Sequence, residues 1–225
     1  FGFKQFNLII FYGNVGFIFI NFSTVLQCIG DILHHLLLEN LYKKMEYFTD
    51  STVGWENTLS VLQRGGGAAA RQMVTEMDPD APRRQNKPLH DLDMKDEALL
   101  LQTVFMCIRS DNFDLAQELC ARAGQPWRTA TMEGWKLFHD PNYEVKGAAE
   151  SKLPVEGNKW RDIWQMAAWG LTKDEKMSQY NRAIYAAFCG NIKQLLPMCN
   201  NWGDFLWAYT RCAVQVRVET EIRNT

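Results

Sequence analysis

Between Asp111 and Asn142, apolar residues recur at spacings of three and four: Phe113, Ala116, Leu119, Cys120 and Ala123 make one stripe. That is the period of a helix with one buried face. Asn112, just before the stripe, suits an N-cap, because its side-chain oxygen can accept a hydrogen bond from a first-turn N–H. Gly124 stands where a left-handed residue closes a helix, and Pro126 where a new helix begins without losing a hydrogen bond. Trp127, Ala130, Met132, Trp135 and Leu137 carry the second helix to Asp140-Pro141-Asn142. The stretch predicts two antiparallel helices joined by a tight corner, an αα-hairpin.

The same period runs through the rest of the chain. Ile32, Leu33, Leu36, Leu37, Leu41, Met45 and Phe48 form a helical stripe, and Trp55, Leu59 and Leu62 a shorter one. Further helices are predicted at Asp93–Ser110, Asn158–Trp169, Asp174–Cys189 and Trp202–Ile222, with Asn191 capping a short helix of Ile192, Leu195, Leu196 and Cys199. Loops are expected near 65–90, where Gly65, Gly66 and Gly67 precede prolines 79, 82 and 88, and near 142–157. No stretch alternates with a period of two, so the class is all-α. Asn112 through Cys120 also aligns with Asn191 through Cys199, an offset of 191 − 112 = 79 positions. Each copy follows one apolar helix and precedes an aromatic one. Hairpins that cannot bury their apolar faces alone stack on one another, which predicts an α-solenoid.

The segment AQELCARAGQPWRTATMEGWKLFHDPN, Ala116 to Asn142, resembles the nucleoporin 107 family of nuclear pore scaffold proteins. The resemblance extends upstream through Val74 to Pro82 and Leu89 to Glu97. Downstream it takes in Pro154 to Asn158, Arg182 to Tyr185, Gly190 to Cys199 and Trp207 to Tyr209. It is collinear from about Leu36 to Thr225. It implies a partial, coat-like helical domain over 31–225 and a place in the Y-shaped outer-ring complex of the pore. In that family the middle of the helical body packs against nucleoporin 96 and the C-terminal tail joins nucleoporin 133. The resemblance therefore implies partial contact with nucleoporin 96 and a missing surface for nucleoporin 133. It implies a location at the nuclear envelope.

Composition narrows the alternatives. Lys+Arg number 24 and Asp+Glu 26, leaving no basic excess to recommend direct contact with nucleic acid. Of the six Cys (28, 107, 120, 189, 199 and 212), Cys107, Cys120, Cys189 and Cys199 sit at apolar helix positions with no paired spacing, as free buried thiols do. Residues 1–30 differ from the remainder: no charged side chain occurs from Gln5 to Gly30, a length that raises a transmembrane helix. Asn7, Asn14 and Asn21 recur there, Gly13 and Gly16 interrupt, and Phe11, Phe17, Phe19 and Phe22 make it more strand-like than Leu-rich. A membrane span, a buried core helix and sequence foreign to the native protein are the three readings. The third is favoured, and membrane insertion is not. The chain starts at Phe1 rather than Met and is expected to be a fragment.

The search for chemistry returns no catalytic, cofactor-binding or metal-binding candidate. His34 and His35 are adjacent on a predicted helix and point apart, while Cys120 and His139 are far from the close doublets that zinc requires. Gly65-Gly66-Gly67 lacks the Gly-Lys-Ser/Thr ending of a phosphate loop. Asp91, Asp93, Asp96 and Glu97 lack the order of a calcium loop and read as a solvated helix start, with His90 in the loop before them. Trp127, Trp135, Trp160, Trp164 and Trp169 read as mostly core, with Trp160 and Trp164 stacked on one face. Interface residues are not identifiable from sequence, but any Trp left exposed becomes a candidate. Three classes follow: a non-enzymatic pore scaffold without cofactor or small-molecule substrate, an adaptor or vesicle-coat solenoid outside the pore, and a helical enzyme. The empty search disfavours the enzyme. Helical architecture serves the first two equally, and the resemblance favours the pore, where the scaffold supports messenger RNA export and protein import.

Overall fold

Helical periodicity becomes helix over most of the predicted stretches, three of the helices being capped by the side chain of the residue just before them. The computed structural model describes residues 7–10, 18–21, 54–65, 72–142 and 153–224. The stripe predicted over 32–48, His34, His35 and Cys28 lie outside them. Within them run α1 (Glu56–Gln63), α2 (Ala81–Gln85), α3 (Asp91–Arg109), α4 (Phe113–Arg122) and α5 (Pro126–Glu133). Then come α6 (Arg161–Thr172), α7 (Gln179–Cys189), α8 (Ile192–Leu195, continued by a 3-10 turn over Leu196–Met198) and α9 (Trp202–Asn224). From residue 54 onward every regular element described is helical, as expected of an all-α chain. Strands occur in the uncharged N-terminal stretch: β1 (Asn7–Ile10) pairs antiparallel with β2 (Ile18–Asn21), Asn7 opposite Asn21. The strand-like composition read there takes this form, and neither helical reading describes those positions.

Helices α3 and α7 lie together at the centre. Leu100, Leu101, Val104, Phe105, Cys107 and Ile108 of α3 are buried, as is the whole run Ala183–Phe188 of α7. Around this pair pack α4, α6, α8 and α9, while α5 lies along α4 and reaches α3 and α7 through Arg128. Phe188 sits among Phe113, Trp135 and Trp164, with the Trp135 ring stacked at 5.6 Å. Each such side chain contributes about 1.5–3 kcal/mol by leaving water. The tight corner of the predicted hairpin forms at Gly124, whose φ is 68°. Thr129 Oγ1 then donates to the carbonyl of Gln117, so α5 runs back along α4.

The helices that precede the two aligned segments close in the same way, as α2 and α4 also do at Asn86 and Gly124. Asp111 and Gly190, equivalent at the offset of 79, both take left-handed φ, 58° and 77°. After them Asn112 N–H donates to Cys107 O (2.9 Å) and Asn191 N–H to Ala186 O (3.0 Å), the same i to i−5 bond at the same joint. The copies then diverge, because Pro197 falls in the tightened turn that follows the four-residue α8.

Several predicted boundaries are corrected. The second hairpin helix stops at Glu133, before Trp135 and Leu137. The Trp164 indole occupies the space where a Cβ on Gly134 would stand, 2.1 Å away, and its N–H donates to Thr131 O. Asn158 Nδ2 donates to Gly134 O, so side chains from farther along the chain close this helix. The chain beyond is an extended ribbon, with His139 and Glu156 exchanging backbone hydrogen bonds at 2.8 and 2.9 Å. Helix α6 starts at Arg161 because the Asn158 side chain accepts from Trp160 N–H in a turn before it, and it runs on to Thr172. Helix α7 starts at Gln179, capped by Ser178 Oγ, while the Asp174 carboxylate is held by Lys176 N–H and Arg83. Helix α3 starts two residues earlier than predicted, with His90 Nδ1 accepting from Leu92 N–H. Asn191 does not cap with its side chain, which donates instead to Thr172 Oγ1 at 2.8 Å. Part of the expected 65–90 loop is the short α2, with Pro82 in its first turn.

Replacing Trp135 by Ala, which opens the space between Phe113 and Phe188, is expected to cost about 3 kcal/mol in urea unfolding. An unchanged midpoint would remove Trp135 from the core. Gly190→Ala should cost about 1–2 kcal/mol, since its φ is left-handed and the new Cβ would lie 3.2 Å from Gln215.

Candidate interaction surface

Buried polar side chains decide which faces of the outer helices turn away from the core. Arg161 of α6 donates through Nε to Trp135 O at 2.7 Å and pairs through Nη1 with Glu219 of α9. Gln165 and Gln215 donate to the same Glu219 oxygen at 2.9 Å each. At the other end of α9, Asp204 is buried and pairs with Arg109 of α3. Burial alone would raise the Asp204 carboxyl, but hydrogen bonds from Asn200 N–H and Arg109 hold it below its ordinary value. Arg211 lies over the rings of Phe113 and Trp135 and donates to Ala187 O. Burial lowers the pKa of its guanidinium, opposed by the nearby Asp111 carboxylate.

These anchors turn apolar residues outward. With Arg161, Ala168 and Thr172 inside, α6 presents Ile163 and Met166, the latter 69% exposed. Trp160 at its start is 67% exposed, and Leu137, Phe138, Leu153 and Val155 stand out from the ribbon leading into it. With Asp204, Trp207, Cys212 and Gln215 inside, α9 presents Trp202, at 80% exposure, then Phe205, Tyr209 and Val216. Contiguous exposed apolar surface of this kind marks contact with another macromolecule. The sequence reading of the Trp set as mostly core is therefore corrected at Trp160 and Trp169. The stack of Trp160 on Trp164 is also not found, because Trp160 is a non-helical capping residue while Trp164 packs against Phe188. The sequence reading singled out no interface residues here beyond any Trp left exposed.

The remaining candidates separate in space. Cys120 is fully buried in the core, and His139 lies on the exposed ribbon rather than at a helix end. Among the described residues no three His, Cys, Asp or Glu side chains gather to hold a metal. No helix among them is long and apolar enough to cross a membrane. Asp91 and Asp96 are exposed, but Asp93 is buried and Glu97 largely so, which corrects the reading of that acidic group as wholly solvated. Cys107, Cys120 and Cys212 are buried, Cys189 and Cys199 half-buried, and all five are free. Burial pushes the Cys107 thiol up to about 12, and those of Cys120, Cys189 and Cys212 to about 11.

A family model described as nuclear pore protein 84 / 107 matches residues 34–225. The chain is 50% identical over 185 residues to the nuclear pore complex protein Nup107 of Mus musculus, covering 80% of this chain and 20% of that protein. The protein of the same name in Drosophila melanogaster is 42% identical over 180 residues, 78% of this chain and 21% of its own length. Nucleoporin nup107 of Schizosaccharomyces pombe is 30% identical over 170 residues, 74% of this chain and 20% of its own. The chain spans about a fifth of the length of these curated relatives.

Two outcomes test this arrangement. Glu substitutions at Ile163 and Met166 should leave stability within about 0.5 kcal/mol in chemical denaturation, as expected for residues that nothing in the fold covers. At pH 8, iodoacetamide followed by mass spectrometry should leave Cys107 and Cys120 unmodified in the folded protein and modified once it is unfolded. Because folding raises these thiol pKa values, the unfolded chain ionises first. Their contribution is therefore intact below the ordinary thiol value of 9.0 and is lost as pH climbs toward about 12.

Proposed function

Since the chain belongs to the nuclear pore protein 84 / 107 family, we infer that it is a structural scaffold segment of the nuclear pore complex at the nuclear envelope. One observation carries the reading: the match covers the entire helical body, and that body turns apolar faces outward on α6 and α9. A scaffold works through such faces. It holds neighbouring proteins at fixed positions, and it serves messenger RNA export and protein import by building the pore rather than by binding cargo. Catalysis, cofactor and small-molecule substrate have no part in this role. The hairpins stack as a solenoid within the Y-shaped outer-ring complex, each covering part of its neighbour.

Co-purification of the 225-residue chain with each pore protein separately tests the assignment. Weak, incomplete capture of nucleoporin 96, no capture of nucleoporin 133, and concentration-dependent self-association through the exposed apolar residues are expected. Robust capture of nucleoporin 133 would show that the segment is misplaced within the complex. Capture of vesicle-coat subunits in place of pore proteins would move it outside the pore.

A further inference from the structure

Residues 54–65 and 72–89, with α1 and α2, share a small apolar centre of their own: Trp55, Val74, Ala81 and Leu89, with Met77 against them. This centre is separate from the main core, so these residues are a strap laid on α3. Two acidic residues of α3, one helical turn apart, hold it in different ways. Asp93 receives only groups of α1. Its Oδ2 accepts from Thr58 N–H and Thr58 Oγ1, both at 2.6 Å, and its Oδ1 from Asn57 N–H and Nδ2. Helix α1 lacks a side-chain cap of its own, because the indole of its N-cap residue Trp55 has a donor and no acceptor. A carboxylate from another helix thus satisfies its orphan N–H groups.

Glu97 faces both ways. Oε2 accepts from Trp55 Nε1 of the strap at 2.7 Å, and Oε1 accepts from Arg128 Nη2 of α5 at 3.1 Å. Arg128 in turn donates through Nη1 to Asn181 Oδ1 of α7 at 3.0 Å. A continuous polar chain, Trp55–Glu97–Arg128–Asn181, therefore crosses the strap, α3, α5 and α7. We propose that this chain is a built-in coupling device, in which Glu97 links seating of the strap to the alignment of α5 with α7. While Trp55 is seated, its indole covers Glu97 and fixes the carboxylate, and the fixed carboxylate orients Arg128. When the strap lifts, Glu97 recovers side-chain freedom and water reaches it, so Arg128 loses its oriented charged partner and its bond to Asn181 weakens. Coupling of this kind is reciprocal: loss of the Asn181 bond loosens the strap by the same factor. The proposal does not depend on the pore assignment.

Hydrogen exchange with mass spectrometry on the 225-residue chain tests it. Trp55→Phe keeps an apolar ring and removes the donor to Glu97, and Asn181→Ala removes the acceptor for Arg128. Trp55→Phe is expected to speed exchange at residues 179–189, and Asn181→Ala at 56–63, each about tenfold, while residues 212–219 of α9 keep their rates. The proposal is overturned if either variant acts only on its own element. It is equally overturned if the α9 amides accelerate as much, since that would mean general loosening. Thr58→Ala supplies a second check, because it weakens the Asp93 seat without touching Glu97, and it should loosen both 56–63 and 179–189.

Discussion

One buried guanidinium organises the meeting of the helices. Arg128 is 2% exposed, and a charge so placed persists only if its N–H groups are met. Gln125 receives Nε within the same turn, Glu97 of α3 receives Nη2, and Asn181 of α7 receives Nη1. The Trp127 ring lies 4.4 Å from its centre. No apolar residue could make these three directional demands at once. They fix where α5 lies against α3 and α7, and the close-packed cluster around Phe188 is then filled in between. Apolar burial supplies most of the driving force here, while the guanidinium selects one arrangement of the helices.

The same logic explains the outer surface. Arg161 and Asp204 are drawn inward by Glu219, Trp135 O and Arg109, and each commits its helix to a rotation about its own axis. Ile163, Met166, Phe205 and Tyr209 are then left outside. For an isolated globular domain this would be a poor arrangement, with polar groups in and large apolar side chains out. For a piece of a larger assembly it is coherent, because the polar contacts orient surfaces that neighbours complete.

How much of this could be read from the sequence depends on distance along the chain. Local signals held. The stripes at Phe113 to Ala123 and at Ile184 to Phe188, the corner at Gly124 and the repeat joining Asn112 to Asn191 all reflect interactions within a few residues. Long-range capping was invisible. Asn158, Asn191 and Asp93 each have the side chain of a cap or a helix start, yet each serves another element: Gly134 O, Thr172 Oγ1 and the first turn of α1. The Trp residues failed for a related reason. The sequence groups Trp160 with Trp164 on one helix face, but Trp160 stands before α6 and is exposed, while Trp164 packs against Phe188. The candidate surface was therefore not legible in the sequence, beyond the rule that any exposed Trp becomes a candidate.

The joint after α3 and α7 is a closing turn that α2 and α4 share at Asn86 and Gly124. Asp111 in one copy and Gly190 in the other reach the same left-handed turn, so the geometry belongs to the hydrogen bond that closes it rather than to one residue type. Helices α3 and α7 are thus left in the same local way, through one left-handed residue and one closing bond. The rod that follows differs between the copies: ten residues in α4, four in α8. The turn is therefore alike in both copies while the length of the helix after it differs. Because that turn is closed by backbone atoms alone, the helix after it can lengthen or shorten and leave the turn itself unaltered.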